Sequence, residues 1–486
     1  MALTLHNTLS GRVEPLETKE PGKVGLYVCG VTVYDRCHVG HARSFIFADT
    51  LVRYLRFTGY EVNFVRNITD IDDKIIERAQ KRGITPEELT AETIGYFHAN
   101  IAALGCVMPD EEPRATTHIP DMLALIQQLE ERGLAYASEG DVYFAVGKLD
   151  GYGKLSKRKL DEMIAGSRVE VGDRKREPLD FALWKAAKPG EPSWDSPWGP
   201  GRPGWHLECS AMSTRYLGQP FDLHAGGEDL IFPHHENEIA QSEGATGIPF
   251  VKHWVHHAFV RIDQEKMSKS VGNILSIDEI SAMVPVEAVR LFLISTHYRS
   301  PLDFSEQGVR EAQRGCERLH ETLARLETAL GAPLSPAGNG SGRAAEKDAD
   351  VPAEVRAFRE QFVTAMDDDL NSARATGVIF EEIREINRLL DAGETDTLAA
   401  HGANVAMLGG VLGVIRTPAQ AYLDEGKSRH LDSSGVDGAE IETLIAERNA
   451  ARKAKDFARA DEIRDELQAR GIVLKDGAGG TTWSVQ

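Results

Sequence analysis

The chain is poor in several things, and each shortage excludes something. Five cysteines among 486 residues, an odd number spread widely, exclude a disulfide framework and point to a reducing, cytoplasmic setting. No apolar run approaches the roughly 20 residues that a membrane helix needs. The first residues, MALTLHNTLSGRVEPLE, lack the basic-then-apolar order of a signal peptide, so no membrane association is expected. No GxGxxG follows the first predicted strand, so a dinucleotide cofactor is not suggested. Positive charge is also short. With 55 Lys and Arg against 75 Asp and Glu, the formal charge is −20. That excludes non-specific coating of nucleic acid, which phosphate neutralisation drives. A specific RNA partner would need local basic patches: KLSKRK at Lys154 to Lys159, RKR at Arg174 to Arg176, or RNAARKAKDFAR at Arg448 to Arg459. Taken singly, such patches are more often solvated faces.

What remains is a globular composition, 42% hydrophobic and 27% charged, long enough for two to four domains. The first part reads as α/β. VGLYVC (Val24 to Cys29) is a short apolar, β-prone run. An amphipathic helix is predicted from about Ala42 to Phe57, ending at Gly59, and EVNFVRNI (Glu61 to Ile68) is a second strand. This β-α-β order predicts a Rossmann-like parallel sheet with right-handed crossovers, continued by strands at Phe221 to His224 and Val251 to Val260. The expected division is a catalytic domain over 1–310 with an insertion at about 109–204, and a helical stem and flexible linker over 311–350. An α-helical bundle over 351–415 and a small C-terminal α+β domain over 436–486 follow. The last unit reads as two helices and a hairpin, Ile472 to Leu474 against Thr481 to Trp483.

Two short motifs carry phosphate chemistry. In KMSKS, Lys266 and Lys269 lie three apart among small polar residues, and ammonium groups there suit phosphate oxygens. Far upstream, His38 and His41 flank Gly40 where a strand gives way to a helix. A helix N-terminus presents free N–H groups to phosphate, and Gly40 permits close approach. In isolation each motif reads as an ordinary loop. Together and in this order they resemble the HIGH and KMSKS signatures of class I aminoacyl-tRNA synthetases, with Val39 where the signature often has Ile.

A third constellation is HHENE at His234 to Glu238. On a helix, His234 and Glu238 share one face and can bind one metal, although His and Glu four apart often occur by chance. Cys209 and Cys29 are possible thiolates, and long gaps leave their convergence open. Cys106 and Cys316 are expected to be buried.

The motifs YVCGVTVYDRCHVGH, NITDIDDKI, GWHLECSAMS, HAGGEDLIFPHHENEIAQSE and EKMSKS, from about Tyr27 onward, resemble the cysteinyl-tRNA synthetase family. The resemblance implies one zinc ion per chain on Cys29, Cys209, His234 and Glu238, with Cys37 outside the ligand set. It implies Mg-ATP as co-substrate at His38, Gly40, His41, Lys266 and Lys269. It also implies a cysteine pocket of Gly30, Thr69, Trp205, His224 and Asp229, in which Asp229 pairs with the substrate ammonium. The blander reading of these residues is a turn and packed aromatics. A metal with an open position selects a thiolate over the harder serine hydroxyl, whereas size alone discriminates weakly. The expected partners are L-cysteine, ATP and tRNA(Cys), acted on by a monomer. MDDDLN (Met366 to Asn371) resembles the family's stem bundle, and the last ~50 residues resemble its anticodon-binding domain. There Arg452, Lys453 and Lys455 are candidates for phosphate contacts, and Trp483 is either a base-stacking platform or the hairpin's core anchor. Two rivals are a paralogous cysteine–amino-sugar ligase and a zinc-stabilised RNA-binding protein without catalysis.

Overall fold

The computed structural model describes residues 3–159, 174–262, 265–266, 275–334, 351–434, 438–477 and 480–485. A hairpin of β1 (Thr4–Asn7) and β2 (Arg12–Pro15) precedes the central sheet. That sheet has the order β10-β9-β3-β4, every pairing parallel. It is built from β3 (Lys23–Val28), β4 (Glu61–Arg66), β9 (Phe221–Gly227) and β10 (Val251–His257). These strands are apolar runs because helices cover both faces. Between β3 and β4 runs α1 (Val39–Phe57), with 15 of its 19 residues buried. The segment between β4 and β9 holds α2 (Asp73–Arg82), α3 (Pro86–Ala103), α4 (Ile119–Glu131) and an antiparallel sheet. That sheet consists of β5 (Ala135–Ser138), β6 (Asp141–Phe144), β7 (Phe181–Ala186) and β8 (Gly201–Pro203), and α5 (Trp205–Leu217) follows it. The helices start where capping chemistry allows. Thr85 and Glu88 form a reciprocal capping box ahead of α3, with Pro86 in its first turn.

After β9 come α6 (Glu236–Thr246) and then β10. A smaller sheet follows: β11 (Val260–Ile262), β12 (Glu265–Lys266), and β13 (Leu302–Phe304) parallel to β11. Between β12 and β13 lie α7 (Ile277–Met283) and α8 (Val286–Ile294). Four helices make a bundle: α9 (Glu306–Leu330), α10 (Ala353–Asp367), α11 (Ser372–Ala392) and α12 (Leu398–Leu412). Helix α13 (Ala419–Ser434) leads to α14 (Gly438–Lys453), α15 (Phe457–Ala469) and the hairpin β14 (Ile472–Gly477) with β15 (Gly480–Val485). No helix among the described residues is long and apolar enough to cross a membrane.

One apolar core runs from α1 through α8 into the bundle. A second lies beneath the antiparallel sheet, and a small third, of Ile441, Ile445, Ile463, Leu467 and Ile472, sits in the last unit. Buried charge binds α1 to its neighbours. Asp49 accepts from Arg53 Nε at 2.8 Å and from Arg290; Arg53 also reaches the Gly410 carbonyl at 3.3 Å, and Arg290 that of Leu412 at 3.0 Å. Burial alone would raise Asp49, and the two guanidiniums hold its pKa below the ordinary value. At the turn between α10 and α11, Asp369 takes φ +56° and is buried. Its carboxylate accepts from the His6 N–H (2.8 Å), Tyr298 Oη (2.5 Å) and Arg299 Nε (2.6 Å), joining three segments of the chain.

Candidate active site and metal centre

Cys29 leaves the end of β3, its N–H held by the Ala225 carbonyl at 3.2 Å. The next residue must be glycine: a Cβ on Gly30 would lie 1.6 Å from the Asn67 carbonyl oxygen. Cys209 comes from the first turns of α5, and Glu238 from the start of α6. His234 sits in the wide turn Ile231–His235 that feeds α6. These four groups converge, with their ligand atoms all within 4.8 Å of one another. The two sulfurs are 3.6 Å apart, Cys29 Sγ is 3.5 Å from Glu238 Oε1, and His234 Nε2 is 3.0 Å from the same oxygen. Cys29 and Glu238 also share a space with His224 and His235, so the chain presents a second overlapping donor set.

The cluster is electrostatically poised. Burial works against the Glu238 charge, yet His224 and His234 bring its pKa to about 2. Burial also opposes ionising Cys209, but hydrogen bonding to Cys29 and His234 lowers that thiol to about 6. His234, facing Glu238 and Cys209, rises to about 10 despite burial. Cys29 is pushed far up by burial, then by Cys209 and Glu238. A buried carboxylate and two thiols with one imidazole need a cation before both sulfurs can ionise. Thiolate, imidazole and carboxylate in one such space suit zinc.

Outer partners orient the donors. His206 Nδ1 lies 3.0 Å from His234 Nδ1, and His224 Nε2 lies 2.9 Å from Glu238 Oε2. His235 stands 3.3 Å from Cys29 Sγ and 2.7 Å from His256 Nε2. The sequence reading missed His206, His235 and His256. For His256 the signal was histidine in an otherwise apolar stretch (WVHHAF), where a buried ring needs a polar partner.

At the phosphate end, α1 begins at Val39 rather than near Ala42 because His38 and His41 cap it reciprocally. The His38 side chain accepts from a first-turn amide, and the His38 N–H donates to His41 Nδ1 at 3.2 Å. The two rings stack with centroids 3.8 Å apart. A Cβ on Gly40 would come within 2.9 Å of the His38 ring. Lys266 pairs through its backbone with Arg261; Lys269 and the rest of KMSKS lie outside the described residues.

A cavity of about 580 Å³ joins the two ends. Cys29, Gly30, His38, Gly40, His41, Trp205 and Asp229 all line it, with Ser44 and His257. Trp205 stacks on His234 with centroids 4.2 Å apart. Thr69 and His224 do not line the cavity. Thr69 is buried and donates to Glu208 Oε2 at 2.8 Å, and His224 lies beneath Glu238, stacked on Trp254 at 4.4 Å. Cys37 packs in the core beside the phosphate end, and Cys106 and Cys316 carry thiols raised by burial.

In the last unit, Trp483 Nε1 donates to Glu442 Oε1 at 2.9 Å and the ring packs on the small core, so it anchors the hairpin. Phe457, at the start of α15, is 63% exposed. The basic patches are largely paired: Arg174 with Glu139 and Asp141, Arg448 and Arg452 with Asp476, Arg459 with Glu447 and Glu462.

Comparison with known proteins places this arrangement. Residues 15–314 match the family of class I (C) tRNA synthetase catalytic domains, 361–416 the DALR domain, and 438–483 the cysteinyl-tRNA ligase anticodon-binding domain. A cysteine–tRNA ligase of Geobacter sulfurreducens is 54% identical over 100% of both chains, and one of Alkalilimnicola ehrlichii is 53% identical over 99% of each. Among solved structures, Mycobacterium tuberculosis methionyl-tRNA synthetase with methionyl-adenylate superposes at a TM-score of 0.58. It is 17% identical, covering 86% of this chain and 95% of that one. The ternary complex of Agrobacterium radiobacter K84 LeuRS with tRNA and LeuAMS also gives 0.58, at 12% identity, covering 82% and 85%. These two share the fold. With a catalytic-domain match over more than half its length and relatives aligned along all of it, the chain belongs to the cysteine–tRNA ligase family of class I tRNA synthetases.

Proposed function

We propose that this chain ligates L-cysteine to tRNA(Cys) in two steps, through a cysteinyl-adenylate formed from Mg-ATP. The observation that carries the reading is the single cavity bordered by Cys29 at one end and by His38 and His41 at the other. Adenylation needs an amino acid and an α-phosphate held together, and catalysis is then mostly positioning and charge stabilisation. His38, Gly40 and His41 offer a helix N-terminus and imidazoles to phosphate, with Lys266 and Lys269 as the matching cations. Asp229, on the cavity wall, holds the substrate ammonium; Gly30 lets the backbone come close, and Trp205 walls the side chain. Thr69 acts from behind that wall, through Glu208, and His224 through Glu238. Cys29, Cys209, His234 and Glu238 would hold the zinc ion, which when bound supplies a Lewis-acid position favouring a thiolate over a hydroxyl. Exposed Phe457, with Lys453 and Lys455 close by in sequence, gives the RNA end a stacking face and cations.

The test is cysteine-dependent ATP–pyrophosphate exchange, then charging of purified tRNA. The expected outcome is both activities, with serine failing to drive exchange. Exchange without charging, together with ligation of cysteine to an amino-sugar, would establish the paralogous ligase instead. The anticodon-type unit at 438–483 argues against that outcome.

A further inference from the structure

Helix α13 faces two ways. Lys427 lies over the Trp483 ring of the last unit, Nζ 5.1 Å from its centroid. Two residues on, Arg429 Nη1 donates to the Ser281 carbonyl in α7 at 2.6 Å, while Glu425 Oε1 steadies the same guanidinium at 2.7 Å. The far end of α7 is sewn to the start of α1. The Val39 N–H donates to the Leu275 carbonyl at 3.0 Å and the Ile277 N–H to the Cys37 carbonyl at 3.1 Å, and Ser276 bridges His38. Asp278, in the first turn of α7, also accepts from Arg36 Nη1 at 2.6 Å and Asn100 Nδ2 at 2.8 Å. A helix of seven residues, about 10 Å long and held at both ends, moves as one body.

The seating of α13 leaves room for such movement. Its first turns are fixed, because Tyr422 stacks on His320 with centroids 4.0 Å apart. Beyond them a cavity of about 210 Å³ separates α13 from α7 and α8, bordered by Ser281, Glu287, Tyr422 and Arg429. The Arg429 bond crosses that gap to a backbone oxygen.

We infer that Arg429 is a positioning residue that couples RNA bound at the C-terminal unit to the placement of His38 and His41, through α7. The inference rests on the tRNA-charging function proposed above. RNA that shifts the last unit pulls on Trp483 and Lys427; Arg429 passes the displacement to α7, whose other end carries the phosphate site. A coupling of this kind acts on a turnover step without requiring any contact between Arg429 and RNA.

The test compares R429Q and R429K with the unaltered protein. In R429Q, exchange without tRNA stays within about two-fold of the unaltered protein, and the KM for tRNA changes as little, while kcat for charging falls about ten-fold. R429K, which still donates to the Ser281 carbonyl, recovers most of the rate. Hydrogen exchange gives an independent readout: tRNA slows exchange of α7 amides in the unaltered protein and not in R429Q. An R429Q protein charging at the normal kcat overturns the inference, as does one whose only defect is a raised KM for tRNA, or one that loses basal exchange equally. If the unaltered protein charges no tRNA, the proposed function falls and takes this inference with it; normal charging with an unaffected R429Q removes this inference alone.

Discussion

Glu238 has no exposed surface, yet His224 and His234 hold its pKa low against burial, and the candidate metal centre is built around that carboxylate. Its oxygens collect His224, His234 and Cys29, so one carboxylate fixes the orientation of three other groups. Losing an outer partner typically costs about 10- to 100-fold in metal affinity, and losing a ligand costs at least the upper figure. C209A should therefore lose bound zinc and cysteine affinity together, read by elemental analysis of the purified protein; full zinc occupancy would refute that ligand assignment. His257 makes a pH prediction at the same scale. Burial, helped by Arg43 and opposed by the Ala258 carbonyl, lowers its pKa from 6.5 to about 4. The folded ring stays neutral where the unfolded one protonates. The stability it contributes is present above pH 6.5 and is lost as pH falls towards 4, by up to about 3 kcal/mol. H257Q should flatten the decline of Tm over that window, and a slope equal to the parent's would count against it. Of these residues, the motif resemblance implied the four metal donors, but spacing alone did not. The histidine shell was illegible because its members meet across gaps such as 28 residues for His206 and His234, and local pattern carries no record of such contacts.

At the scale of elements, strands were read well and helix starts less well. The runs VGLYVC and EVNFVRNI became β3 and β4 because a strand buried on both faces must be apolar. The start of α1 was placed late because a reciprocal cap made by two histidines is not among the Ser, Thr, Asp and Asn signals for a helix beginning. The polar stretch that begins at Asp424 lies within helix α13, which continues to Ser434. Pairs four apart, Gln420 with Asp424 and Glu425 with Arg429, support it. The turn between α10 and α11 yields a stability prediction. Removing the Asp369 carboxylate strands three donors from two segments, His6 and the adjacent Tyr298 and Arg299, and a buried group left unsatisfied costs about 1–3 kcal/mol. D369A should lose about 3 kcal/mol or more by urea unfolding, and D369N clearly less, since its amide oxygen still accepts. Equal losses in the two variants would show that an accepting oxygen at this position is not what the fold requires.

Taken whole, the molecule is acidic and still has to hold a polyanion, so its RNA-facing cations must be few and well placed. The arginines of the C-terminal patch pair with acidic side chains, so the proposed RNA face would draw on stacking as well as on charge. F457A should raise the KM for tRNA roughly ten-fold, as expected for a base stack worth about 1–3 kcal/mol, while tRNA-independent exchange is unchanged. A KM equal to the parent's would mean that Phe457 faces only water. The buried Asp49–Arg53–Arg290 group bears on how such chains can be rearranged. Arg53 and Arg290 each also donate to one carbonyl of α12, within the residues 361–416 that match the DALR domain. Cutting the chain ahead of α10 would remove the Gly410 and Leu412 carbonyls, leaving Arg53 with Asp49 and the Gly105 carbonyl and Arg290 with Asp49 and the Leu104 carbonyl, each one acceptor short in a buried site. The catalytic sheet and the helical bundle therefore travel together: a chimera that exchanges one must also carry over the other's pattern of free carbonyls, whereas the last unit has a small apolar core of its own and its exchange must keep only the seam with α13, where Leu431 packs on that core and Lys427 lies over Trp483.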